Sequence, residues 1–324
     1  MALDFVSHAI SSAVPVPPDD AALVIRLAFL AAVLLFLIGW GIRVAWARKT
    51  TSVQEGPPTP PPLPLSFPPP LPGGLPDRIL GWLRVPTRHY RLLDLPLIGL
   101  VLLIFGLTAM PGDAAAVPLE KRFTPELLVT SILFQWMLMG MVIAFVRWRI
   151  GLVEWLGLRW KEWPLVFAIA PLTVFCVWCL LGLLHFSGWN GWLERSLGID
   201  SMQEAVKLLK ESSHPLVIGL MAFAAVIVAP VAEEVVFRGY LYPAAKRFCG
   251  TAAAIVFSSL VFAAVHGNVV ALIPLFVLAV LLCLIFEVTG SIWACISVHF
   301  LFNGATVTIQ LLHRYGFFEQ PVPR

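Results

Sequence analysis

The sequence predicts an all-α fold, a polytopic transmembrane helical bundle of about eight spanning helices. Three observations carry that reading. Only 13% of the 324 residues are charged and 59% are hydrophobic, with a mean hydropathy of +0.87. Soluble domains carry about 25% charged residues, so a soluble protein of this length would lack the charge to cover its surface. Eight segments are long and apolar enough to approach the ~20 residues that cross a bilayer. Their continuous apolar character fits helices, which satisfy their own backbone hydrogen bonds in lipid, and not the alternating strands of a barrel.

The segments fall at roughly 24–46, 93–110, 126–146, 164–186, 216–240, 251–266, 269–288 and 291–312. The first is preceded by Asp4, Asp19 and Asp20 with no Lys or Arg, the wrong charge for a cleaved secretory signal, and reads as a retained helix. Residues 57–76 hold eleven prolines and form an extended, polyproline-like spacer. The chain therefore divides into an N-terminal segment with the first helix (1–50), a proline-rich linker (51–90) and a transmembrane bundle (91–324). On this reading the linker leaves the first helix loosely attached. The stretches 150–163 and 189–212 mix Trp or Leu with charges, as interfacial segments do. Lys and Arg are more numerous in the loops that face inward if the N-terminus lies outside, which favours that orientation. The net charge of +3 is small and scattered and gives no nucleic-acid footprint. Five cysteines in or beside apolar runs, including Cys176 and Cys179, read as helix-packing residues, not as a disulfide framework.

Chemistry concentrates in the last third. Only six of the 97 residues from 216 to 312 are Asp, Glu, Lys or Arg, and three of them lie together as Glu233, Glu234 and Arg238. Each ionisable group in a spanning helix costs at least ~2.5–3.5 kcal/mol on insertion scales, so internal partners are expected. Glu234 and Arg238 are four apart, in the order that favours an ion pair. Glu233 lies about 100° further round the helix, free to face a cavity. His266 follows on the next segment, and His299 and Asn303 share a face of the last. Counted along their helices these groups reach similar depth, so one shared site is the simplest arrangement.

A glutamate that takes a proton from water, with imidazoles and a carboxamide around it, fits peptide hydrolysis. Glu233, His266 and His299 also form a potential His₂Glu set for Zn²⁺ with an open position for water. No HExxH is present. Glu287, near a helix end, reads as an interfacial charge, and His185 and His313 as solvated helix-end residues. Asn268 follows His266 by two and is a weaker candidate for the mouth of the site. A proton-coupled membrane transporter would also hold acidic and His residues at mid-membrane, but its polar groups would recur in two halves. A non-catalytic immunity or partner-binding membrane protein is a third reading.

EEVVFR, FAAVH and HFLFN match EExxxR, FxxxH and HxxxN in order and spacing. On these motifs, and on TGSIWACISVHFLFN, the segment at about 216–312 resembles the CPBP family of intramembrane proteases, also called the Abi or type II CAAX prenyl endopeptidase family. The resemblance implies Glu233 as general base with His266 beside it. It implies Glu234 and Arg238 as a supporting pair, His299 and Asn303 as oxyanion stabilisers, and Phe262 packed beneath. It leaves a glutamate-dependent and a metal-dependent mechanism both open. The expected partners are the lipid bilayer and a membrane-associated protein or peptide substrate, prenylated or bacteriocin-like. The expected location is the bacterial cytoplasmic membrane.

Overall fold

In the computed structural model the described residues are 19–51, 84–108, 123–198 and 204–317. The proline-rich stretch lies outside them. Helices account for nearly all of these residues: α1 (Asp19–Thr51), α2 (Asp94–Thr108), α3 (Pro125–Val146), α4 (Leu152–Trp155), α5 (Val166–Phe186), α6 (Trp189–Leu197) and α7 (Glu204–Glu211) come first. A continuous helical run, α8 (Pro215–Cys249), is followed by α9 (Thr251–Val265), α10 (Val269–Thr289) and α11 (Ile292–Arg314). No strand occurs among the described residues. All eight expected segments are helical. The chain is an integral, multi-pass membrane protein.

Among the described residues six helices are long and apolar enough to span, while α2 and α9 are shorter. The 15 residues of α9 rise only ~22 Å against a hydrocarbon core of ~30 Å. The reason it can be short is burial: Ala254, Phe257, Val261 and Phe262 are fully enclosed by neighbouring helices. One of those neighbours is α1, so the expectation of a loosely attached first helix is overturned. Phe36 of α1 meets Phe257 at 5.1 Å and the edge of Phe248 at 6.4 Å, and Ala32 is fully buried. Gly39 lies so close to the end of α8 that an added Cβ would sit 2.8 Å from Cys249 Cβ. A small-residue stripe of this kind lets helices approach in lipid, where packing, not water exclusion, drives association.

Local signals set the boundaries. Thr124 caps α3 with Pro125 in its first turn. Gly250, at φ +88°, ends α8, and Asn268 caps α10 by accepting from Ala271 N at 2.8 Å. Asn268 is thus a helix cap. Gly157, at φ +58°, is required by a close approach: a Cβ there would lie 1.7 Å from Gly290 O. That approach lets Ile292 N donate to Leu156 O at 2.9 Å, tying the start of α11 to α4. In the two stretches read as interfacial, α6 and α7 each bury one apolar face, through Leu193 and through Leu208 and Leu209.

Segment 84–94 is held by two buried polar clusters that secure one end of the bundle. Asp94 is fully buried and receives both Arg149 guanidinium nitrogens, at 2.6 and 2.8 Å, as well as Arg91 N and the Tyr240 hydroxyl. Glu287 is 1% exposed, not interfacial as its position near a helix end suggested. Tyr242 Oη and Lys246 Nζ donate to its Oε1 and Val85 N to its Oε2. Segment 84–94 folds over this end of α10 and seals the carboxylate, a contact across 202 residues of sequence.

Candidate active site

The run α8 is not uniformly α-helical. Two π-helical stretches, Ala224–Val228 and Val235–Leu241, enclose the short α segment Ala229–Glu234 that carries both glutamates. Each π stretch is followed by a proline two residues on, and each leaves a carbonyl without its helical donor. Ala229 N–H donates to Ala224 O, and Pro230 has no N–H, so Ala225 O has no partner on its own helix. Asn303 Nδ2 of α11 donates to it at 2.8 Å. At the second stretch Tyr242 N–H goes to Phe237 O, and Pro243 has no N–H for Gly239 O, four residues before it. The Trp155 indole and the Tyr90 hydroxyl donate to Gly239 O, at 2.7 and 2.9 Å. Such π insertions are common at functional sites because they re-aim side chains and free backbone groups.

Within this frame the two glutamates have different surroundings. Glu234 is fully buried and its Oε1 accepts from Arg238 Nη1 at 2.9 Å and from His299 Nδ1 at 2.8 Å. Arg238, 1% exposed, also donates to Ala279 O of α10 at 3.3 Å, and its guanidinium carbon lies 4.6 Å from the centre of the Phe262 ring. The ring contact adds a cation–π attraction to the ion pair. Glu233 has no such partners. Its side chain is 26% exposed, its Oε2 is enclosed and accepts no hydrogen bond, and His299 Nε2 stands 4.0 Å away. That separation is too long for a hydrogen bond and suits one water between the two atoms.

Donation of Nδ1–H to the Glu234 carboxylate leaves the lone pair of neutral His299 on Nε2, the atom that faces Glu233. His266 lies at the exposed end of α9, with Nδ1 donating to Phe262 O at 2.7 Å. Its ring centre is 4.8 Å from that of Phe262, which in turn lies 5.9 Å from the ring centre of His299. Phe262 therefore sits between the two histidines and over Arg238, the central packing element among these side chains.

The structure brings Glu233, Glu234, Arg238 and His299 into direct proximity and links His266 to them through Phe262. Asn303 is on the same face of α11, but one of its two N–H donors is engaged by Ala225 O. Among the described residues no three His, Cys, Asp or Glu side chains are gathered as a group that could hold a metal ion. The set Glu233, His266 and His299 is not assembled around a common point here. Sequence reasoning named Asn303 but missed the Ala225 carbonyl that it holds. The signal was Pro230, which by its covalent structure withholds a donor from the preceding turn.

Residues 215–305 match the family model described as type II CAAX prenyl endopeptidase Rce1-like. Among curated proteins and among solved structures there is no match.

Proposed function

From the premise that residues 215–305 are an Rce1-like domain of the CAAX-type intramembrane protease family, we propose that this chain hydrolyses peptide bonds of membrane-associated substrates with Glu233 as the general base. The observation that carries the proposal is the asymmetry of the glutamate pair. Glu234 is ion-paired with Arg238 and hydrogen-bonded by His299, while Glu233 presents an unpartnered Oε2 opposite His299 Nε2 at 4.0 Å.

In this reading a water between those atoms donates one hydrogen to Glu233 and the other to the His299 Nε2 lone pair, which aims an oxygen lone pair at the scissile carbonyl. Glu233 takes the proton as the O–C bond forms and the carbonyl π pair moves onto oxygen. The second Nδ2–H of Asn303 is the donor for that oxyanion, and His266 lines the mouth. Collapse of the tetrahedral intermediate breaks the C–N bond, and the proton held by Glu233 passes to the departing nitrogen. Glu234 orients His299 through Nδ1, and Arg238 holds the Glu234 carboxylate in place. Prenylated CaaX-type or bacteriocin-like peptides are the proposed substrates.

The test uses the purified full chain in detergent with a prenylated CaaX peptide and a panel of membrane peptides. Glu233→Gln is expected to lower kcat by at least ~10²-fold, since base catalysis contributes about that much. Wild-type cleavage that survives a zinc chelator supports the glutamate mechanism; loss on chelation with recovery on added zinc overturns it. Full activity of Glu233→Gln would refute the assignment of the base.

A further inference from the structure

A cavity of about 250 Å³ lies between α3 and the first half of α8. Leu127, Ser131 and Gln135 of α3 and Met221, Ala225 and Ala229 of α8 are among its lining residues. Leu127 and Ser131 are exposed, so the cavity opens at the outer surface of the bundle. Three facts connect it to the chemistry. Ala229, in its wall, is one helical turn before Glu233 and on the same face of the α segment. Ala225, also in its wall, carries the carbonyl held by Asn303. Gln135 presents an enclosed Oε1 that accepts no hydrogen bond, an orphan acceptor in an otherwise mostly apolar wall.

We propose that this cavity is a specificity subsite. It holds an apolar side chain of the substrate, and the Gln135 carboxamide turns into it so that Oε1 accepts a hydrogen bond from the substrate main chain. The proposal rests on the reading of Glu233 as the base. Ala229 and Ala225 precede Glu233 by about 6 and 12 Å of helix rise. An extended peptide advances ~3.3 Å per residue, so the side chain in the cavity belongs to a position roughly two to four residues from the scissile bond. A lipid acyl chain would fill the apolar volume, but it has no donor for Gln135. A peptide N–H supplies one, and a buried acceptor left without a donor is unfavourable.

The experiment measures KM and kcat for the full chain against peptides in which one leucine is moved position by position around the cleaved bond. Expected is a leucine preference at one position two to four residues away, lost in Ser131→Phe and Ala229→Leu, which fill the cavity from opposite walls. Gln135→Leu is expected to raise KM about tenfold with little change in kcat, the loss of one hydrogen bond. Peptide Kd values measured in the Glu233→Gln background, where turnover is not needed, should show the same positional preference and the same losses. If Glu233→Gln still cleaves, the base assignment fails while the positional preference judges the cavity independently. Variants that keep the wild-type preference and KM overturn the proposal, as does a panel in which no peptide binds. Unchanged peptide preference together with less co-purified phospholipid in Ser131→Phe assigns the cavity to lipid and also overturns it.

Discussion

The carbonyl of Ala225 gives the sharpest quantitative test of how the site is held. Asn303→Ala removes its donor and leaves a carbonyl with no partner on its own helix, because Ala229 N–H is used by Ala224 and Pro230 has none to give. Stranding an enclosed acceptor costs ~1–3 kcal/mol, more than the ~1 kcal/mol net value of an ordinary hydrogen bond. Pro230→Ala restores an N–H five residues after Ala225, where a π turn can use it for the Ala225 carbonyl. The two substitutions should therefore couple: Asn303→Ala is expected to cost at least ~1 kcal/mol less in the Pro230→Ala background than in wild type. The assay is unfolding of the purified chain in mixed micelles for the four members of the cycle, with the free energy extrapolated to zero denaturant. Activity in the same four proteins separates two roles. If the second N–H of Asn303 serves the oxyanion, the double variant regains stability without regaining kcat. Costs that add within the ~0.3–0.5 kcal/mol typical of independent sites would refute the argument from the π stretch and its proline.

Two further outcomes follow from other parts of the molecule. Arg238→Met leaves Glu234 fully buried with only His299 and should destabilise by ~3–5 kcal/mol, whereas Arg238→Met combined with Glu234→Gln should recover most of that loss; a double variant as unstable as the single would show that the ion pair is not the cause. His89, in the loop before α2, is held below the ordinary histidine value of 6.5, first by burial and next by Arg88, against an opposing pull from Glu154. Arg88 Nε donates to His89 Nε2, so the fold favours the neutral ring. The unfolded chain then takes up the proton first as pH falls below 6.5, and stability declines from there until the folded-state pKa is passed. Melting profiles of wild type and His89→Phe between pH 7.5 and about 5 should diverge in that direction, and parallel profiles would contradict it.

Much of the candidate site was legible because it depends on helix geometry alone. A separation of four residues puts Glu234 and Arg238 within ion-pair reach, and His299 and Asn303 on one face, in any α-helix. Phe262 as a packing element came from the resemblance that the FxxxH spacing carries. What could not be read was the other half of each interaction. One Nδ2–H of Asn303 goes to a carbonyl 78 residues earlier, and although Pro230 marks a missing donor, which distant side chain would supply it was not written in the sequence. Glu287 looked interfacial from its place near the end of α10, yet segment 84–94 closes over it.

Composition and hydropathy by themselves determined that this chain is a helical membrane protein, since apolar segments of that length have no other way to satisfy their backbone in lipid. The spacing of its few charged residues singled out the candidate site. The tertiary structure alone decided that α1 docks on α9, that Glu234 and not Glu233 receives His299 Nδ1, and that α3 leaves a cavity one turn from Glu233. The physical reason is reach: backbone periodicity fixes neighbours three or four residues apart, whereas pairing across tens or hundreds of residues depends on which surfaces pack together.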